Sequence, residues 1–355
     1  QDNIKGFQMA GNNCVAVNIN TYNNGDTGFQ ISGSSNDPKA EWPKNNTIIN
    51  CTSHDNSDSA MNNADGFAAK LSVGEGNTFI GCISYNNIDD GWDLYAKVET
   101  GAIGAVTIIN CVAYNNGFLS DGTGFGDGNG FKLGGDGISV PHVLKNCVAF
   151  GNHNVGITSN SDPSVQIYNC TTFGNTAAGI ALYGKGDTER NFVLDGIISM
   201  NNGSSDNLKE QDLTSEKNYL QSGSGAKNSA GTEVTADIFL STDMTVAPAR
   251  YENGSINMNG LLEIKADAAV KENGAVLSEA SNISEEIAKI VPVVEKVEEP
   301  TPNEAESTPT PMITQGEEPA RSKGSNKTLI IVIAVAAGAL LLCGLTFLLV
   351  KRYMK

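Results

Sequence analysis

Apolar residues in the first two hundred positions fall in short runs of period two. They read Gly28-Phe29-Gln30-Ile31, Gly66-Phe67-Ala68-Ala69, Gly91-Trp92-Asp93-Leu94, Gly130-Phe131-Lys132-Leu133, Gly156-Ile157-Thr158 and Gly179-Ile180-Ala181-Leu182. Alternation of this kind predicts strands rather than helices. A second run recurs between them. Asn50-Cys51-Thr52-Ser53-His54-Asp55-Asn56 returns as Gly81-Cys82-Ile83-Ser84-Tyr85-Asn86-Asn87, and again around Cys111, Cys147 and Cys170, with weaker copies at Ile19 and Ile197. The column Ile19, Cys51, Cys82, Cys111, Cys147, Cys170, Ile197 steps by 32, 31, 29, 36, 23 and 27 residues.

A fixed core at variable spacing is what a coil with insertable corners produces. The expected fold is all-β, a right-handed parallel β-helix in which equivalent positions stack about 4.8 Å apart. Stacking turns the Cys column into a buried ladder and the Tyr/Phe column into an aromatic stack. Asn24, Asn56, Asn87, Asn116, Asn152 and Asn175 become an internal ladder that satisfies corner backbone groups. The cysteines are expected to be reduced core thiols, since side chains in one inward column lie alongside each other and Cys packs as a small apolar residue.

Composition agrees with many short strands and tight turns: 39 of 355 residues are Gly, and only 6% are aromatic. The net charge of −17 excludes nucleic acid as a partner in the absence of a basic patch. It would also repel a polyanionic sugar unless a bound cation reversed the local sign.

Several residues depart from the ladder pattern. Asp65 precedes Gly66 and Asp90 precedes Gly91, so these carboxylates should stack on adjacent coils, with Asp89 and Asp93 beside Asp90. One coil on, Lys132 takes the column of Asp93. Four acids so close cannot all ionise without a positive partner. Oxygen ligands without Cys or His point to calcium, although Asp-Asp-Gly alone would usually be a solvated turn. No single loop supplies the ligands, so the site is not an EF-hand, and His54, His142 and His153 lack zinc-ligand spacing. Lys70, Lys97, Lys185, Trp92 and Tyr95 are weaker candidates for sugar contacts, with Trp92 equally suited to the core.

The runs Ala64-Asp65-Gly66-Phe67-Ala68-Ala69-Lys70, Gly76-Asn77-Thr78-Phe79-Ile80-Gly81-Cys82 and Asp89-Asp90-Gly91-Trp92-Asp93-Leu94-Tyr95 closely resemble the core motifs of family 9 polysaccharide lyases. The resemblance runs from about residue 18 to 202 and more weakly to 264. It implies a pectate lyase with Ca2+ held by acids matching Asp65, Asp89, Asp90 and Asp93, a catalytic base matching Lys132, and polygalacturonate or pectin as substrate. The first coils and N-terminal cap of that family are expected to lie upstream of Gln1. Gln1 falls within a repeat, so an export signal is expected upstream. A non-catalytic uronan-binding or adhesive solenoid, or a lyase for another polyuronate, would keep the same ladders.

The expected organisation is a β-helix over 1–204, an extension packing on or capping it over 205–265, and an acidic Pro/Glu/Thr-rich linker over 266–327. A transmembrane helix over 328–350 and a cytoplasmic tail over 351–355 follow. The apolar run 329–350 carries no charge and is long enough to cross a bilayer core, and Lys351, Arg352 and Lys355 follow it. A cell-surface, single-pass monomer with its enzyme domain outside is expected.

Overall fold

The computed structural model describes residues 2–124 and 126–277, together with the short strand Ile331–Ile333. Each coil gives one short strand to each of three parallel sheets. The first sheet runs Phe7–Met9, Phe29–Ile31, Phe67–Ala69, Trp92–Asp93, Phe131–Lys132, Ile157–Thr158 and Ile180–Ala181. The second holds Thr47–Ile49, Asn77–Ile80, Val106–Ile109 and their equivalents; the third holds Thr52–His54, Ile83–Tyr85, Val112–Tyr114 and theirs. This is the expected parallel β-helix.

The corner between second and third sheets explains one column of the repeat. Asn50, Gly81, Asn110, Asn146, Asn169 and Gly196 all sit at φ between 48° and 75°. That left-handed region is open to Gly and tolerated by Asn, so the residue before each Cys or Ile is one or the other. The cysteines that follow point inward, are fully buried and are free. Each thiol donates to the carbonyl two residues earlier, as Cys51 does to Ile49 (3.4 Å) and Cys111 to Ile109 (3.2 Å).

At the corner leading into the first sheet, Asn24 donates from Nδ2 to Oδ1 of Asn56 at 2.7 Å. The same bond repeats from Asn56 to Asn87, then to Asn116, Asn152, Asn175 and Asn202, at 2.8–3.0 Å. The Gly that opens each first-sheet strand is dictated by this ladder. A Cβ on Gly91 would lie 2.8 Å from Asn116 Nδ2, and one on Gly130 would lie 2.9 Å from Asn152 Nδ2. The next residue points inward, and Phe7, Phe29, Phe67, Trp92 and Phe131 form a continuous ring stack. Trp92 is therefore core. The residue after it, Gln30, Ala68, Asp93 or Lys132, faces away from that core.

Beyond the coils, the chain lies against the outer face of the third sheet. Tyr219, Phe239, Ile256, Met258, Leu261 and Leu262 bury themselves on Val112, Tyr114, Val148, Phe150, Phe173 and Met200. Arg250 donates to the carbonyls of Gly81 and Cys51. The packing continues through Val270, Ala275 and Leu277, where the sequence places the start of the linker. The backbone of Gly274, Ala275 and Val276 bonds to Gly196, Thr171 and Asn146, contacts that an irregular apolar spacing does not announce.

The rest of the expected linker, the tail and most of the expected membrane helix lie outside the described residues. Ile331–Ile333 is the exception. It is extended rather than helical and pairs parallel with Val15–Val17, the strand at the open N-terminal edge of the second sheet. An unpaired edge offers backbone donors and acceptors to any extended segment. Among the described residues no helix is long and apolar enough to cross a membrane.

Candidate active site

The site lies on the outer side of the first sheet, where two columns stop repeating. In the column just before the strand-opening Gly, the residues are Thr27, Asp65, Asp90 and Asn129, joined by backbone bonds from Gly28, Gly66 and Gly91. In the column facing away from the aromatic stack, Asp93 pairs with Ala68 on one side and Lys132 on the other. The expected juxtapositions of Asp65 with Asp90, and of Asp93 with Lys132, are both present.

Asp65, Asp89, Asp90 and Asp93 are all buried. Carboxylate oxygens of Asp65, Asp89 and Asp90 lie within 4.8 Å of one another. Asp90 Oδ1 accepts from both N and Nδ2 of Asn129 at 2.8 Å, and its Oδ2 lies 2.9 Å from Lys132 Nζ. Asp89 Oδ1 accepts from the Asp127 amide at 3.0 Å. Lys132 is also 3.5 Å from Asp127, an exposed acid on the insertion that enters this coil.

Lys70 is the residue whose role the sequence concealed. Its ammonium sits 2.6 Å from Asp65 Oδ2 and 3.0 Å from Asp93 Oδ2. Asp65 Oδ1 and Asp93 Oδ1 are buried without any hydrogen-bond partner. The other lysines stay away from the cluster: Lys185 is exposed and 3.7 Å from Asp136. Lys97 contributes backbone contacts to a turn. Tyr95 lies against the backbone of Gly135.

Electrostatics in this cluster follow from burial. Desolvation, offset by Lys70 and reinforced by Asp93 and Asp90, pushes Asp65 up to about 7. Desolvation with the charges of Asp90 and Asp65 pushes Asp89 up to about 9. Asp90 is raised by burial despite Lys132. Burial also opposes ionisation of Asp93, but Lys70 and Lys132 outweigh it and hold that carboxyl below its ordinary value. Burial disfavours the charged form of Lys132, yet Asp93, Asp90 and Asp65 overcome it and hold the ammonium well above its usual value. Among these acids alone Lys132 is thus the reverse of a free base, and an added positive charge is needed to reverse it.

Residues 1–216 match the family model described as Pel9A-like, right-handed β-helix region. The chain is 50% identical over 241 residues to a pectate lyase L of Thermoclostridium stercorarium, covering 67% of this chain and 19% of that protein. It is 42% identical over 264 residues to a pectate lyase L of Paenibacillus polymyxa (strain SC2), covering 73% and 57%. The crystal structure of pectate lyase Pel9A superposes with a TM-score of 0.56 at 25% identity, over 75% of this chain and 63% of that one. The chain spans well under two thirds of the length of these curated relatives.

Proposed function

Because the chain belongs to the Pel9A-like right-handed β-helix family, we propose that it is a calcium-dependent pectate lyase cleaving polygalacturonate by β-elimination. The observation that carries the reading is the pairing of Asp93 with Lys132 beside three mutually close, buried carboxylates. Relatives named pectate lyase support the substrate class.

The residues suit a divalent, oxygen-preferring cation. Every candidate donor is a carboxylate, and two buried oxygens, on Asp65 and Asp93, lack a partner that a cation would supply. Asp65, Asp89, Asp90 and Asp93 would hold it. Bound calcium supplies neutralisation of the sugar C6 carboxylate and a positive field beside Lys132.

Lys132 then takes the proton from C5. The C5–H electron pair forms the C4=C5 double bond as the C4–O bond breaks, and the leaving oxygen is protonated from solvent. Asp90, held by both donors of Asn129, keeps the lysine side chain aimed across the cluster. The reading extends to place: the apolar run 329–350 and the basic residues after it support a surface anchor with the lyase outside, although the extended Ile331–Ile333 weighs against a helix there.

The test is ultraviolet absorbance during incubation of the full chain with polygalacturonate, in calcium and in chelator. Only elimination leaves an unsaturated, absorbing uronide. A calcium-dependent rise is expected; a folded protein that binds the polymer without any rise sinks the lyase reading and favours a binding solenoid.

A further inference from the structure

Of the two lysines that meet the acidic cluster, only Lys132 has a part in the proposed elimination. Lys70 follows the strand Phe67–Ala69 and reaches back past Ala68, the small residue paired with Asp93. It meets acids from two neighbouring coils, Asp65 on its own and Asp93 on the next, through one oxygen of each. Its side chain is 11% exposed, so this is an enclosed charge and not a surface pair. The oxygens it leaves over, Asp65 Oδ1 and Asp93 Oδ1, are buried and without a hydrogen-bond partner. One ammonium has half the charge of a divalent cation and satisfies half of these carboxylate oxygens.

We propose that Lys70 is a resident counter-ion of the acidic cluster, tying Asp65 to Asp93 across adjacent coils when no divalent cation is bound and competing with that cation for their charge. It keeps the coils together without calcium and holds calcium affinity below what the acids alone would give. Removing one partner of a buried ion pair leaves uncompensated charge and is strongly destabilising, whereas a bound cation supplies the missing compensation. The inference rests on reading the cluster as a calcium site.

The experiment uses the full chain as wild type, Lys70→Met and Lys70→Arg, with thermal unfolding in chelator and in millimolar calcium, and calcium titration calorimetry. In chelator, Lys70→Met should lower the melting temperature by about 5–15 °C. Lys70→Arg, which keeps the charge, should lie nearer wild type. Calcium should restore most of the loss in Lys70→Met, and that variant should bind calcium about tenfold more tightly than wild type. A methionine variant that folds only in calcium is the same result in its extreme form. Equal destabilisation with and without calcium, failure to fold in both, or unchanged affinity would overturn the proposal. Absence of binding heat and of any thermal shift in the wild type would instead remove the calcium reading itself.

Discussion

Two sets of buried polar side chains run up the same β-helix, and they behave in opposite ways. The asparagine ladder from Asn24 to Asn202 repeats one neutral group on every coil. Each amide donates to the next and accepts from the last, so its hydrogen bonds close on themselves. The columns a few ångströms away read Thr27, Asp65, Asp90, Asn129 and Gln30, Ala68, Asp93, Lys132. Their acids are as buried as the asparagines, yet these carry charge and leave oxygens unpartnered. Repetition lets a solenoid satisfy polar groups internally, and a column that changes residue at each coil gives that up. Here the interruption of the repeat coincides with the candidate site.

Substitutions can pull these two behaviours apart. The largest effect should come from Lys132→Ala, which removes the proposed base while sparing the carboxylates. Turnover of polygalacturonate should fall by about 10³-fold or more, with calcium binding kept, as followed by absorbance and calorimetry. Next, Asp90→Asn removes one ligand charge without changing shape. Calcium affinity should fall by about tenfold or more, read by titration. In the ladder, Asn116→Ala should reverse that pattern. It strips partners from Asn87 and Asn152 and should cost about 1–3 kcal/mol in denaturant unfolding while leaving calcium affinity unchanged.

The smallest effect is one of pH. Asp65 and Asp89 are raised to about 7 and about 9, so the folded, ion-free protein holds protons there that the unfolded chain loses near the ordinary carboxylate value. The stability those protons give is complete at acid pH and is lost as pH climbs through 7 to 9. Melting temperature in chelator should therefore decline between about pH 5 and pH 9, and decline less in calcium. The ladder, having no titratable group, contributes nothing to this trend; an identical decline in calcium would argue that the cluster takes no cation.

How much of this was readable in the sequence depends on whether a feature is a column or a path. The solenoid was legible because Cys, Asn, Gly and the aromatics recur at geometrically equivalent points. The stacking of Asp65 on Asp90, and of Asp93 beside Lys132, followed from the same register. The bridge made by Lys70 was not legible. It depends on a long side chain turning back past Ala68, and no column position encodes that path. Asp127 was missed because it lies in an insertion that lengthens this coil, where the repeat offers no alignment. Asn129 holds an aligned position directly before Gly130, but as a neutral amide in an Asn-rich chain it does not stand out. Packing as far as Leu277 was hidden by a sequence whose apolar residues are few and irregular, each finding its place on the third sheet separately.

The central claim, that the open cluster is a cation site and not a self-neutralised knot of ion pairs, is tested most directly by a crystal structure of the protein grown in calcium. The account expects one ion with oxygens of Asp65, Asp89, Asp90 and Asp93 at about 2.3–2.6 Å, and the oxygens now unpartnered on Asp65 and Asp93 turned onto it. A cluster without an ion, with Lys70 and Lys132 still bridging the carboxylates at saturating calcium, would contradict it.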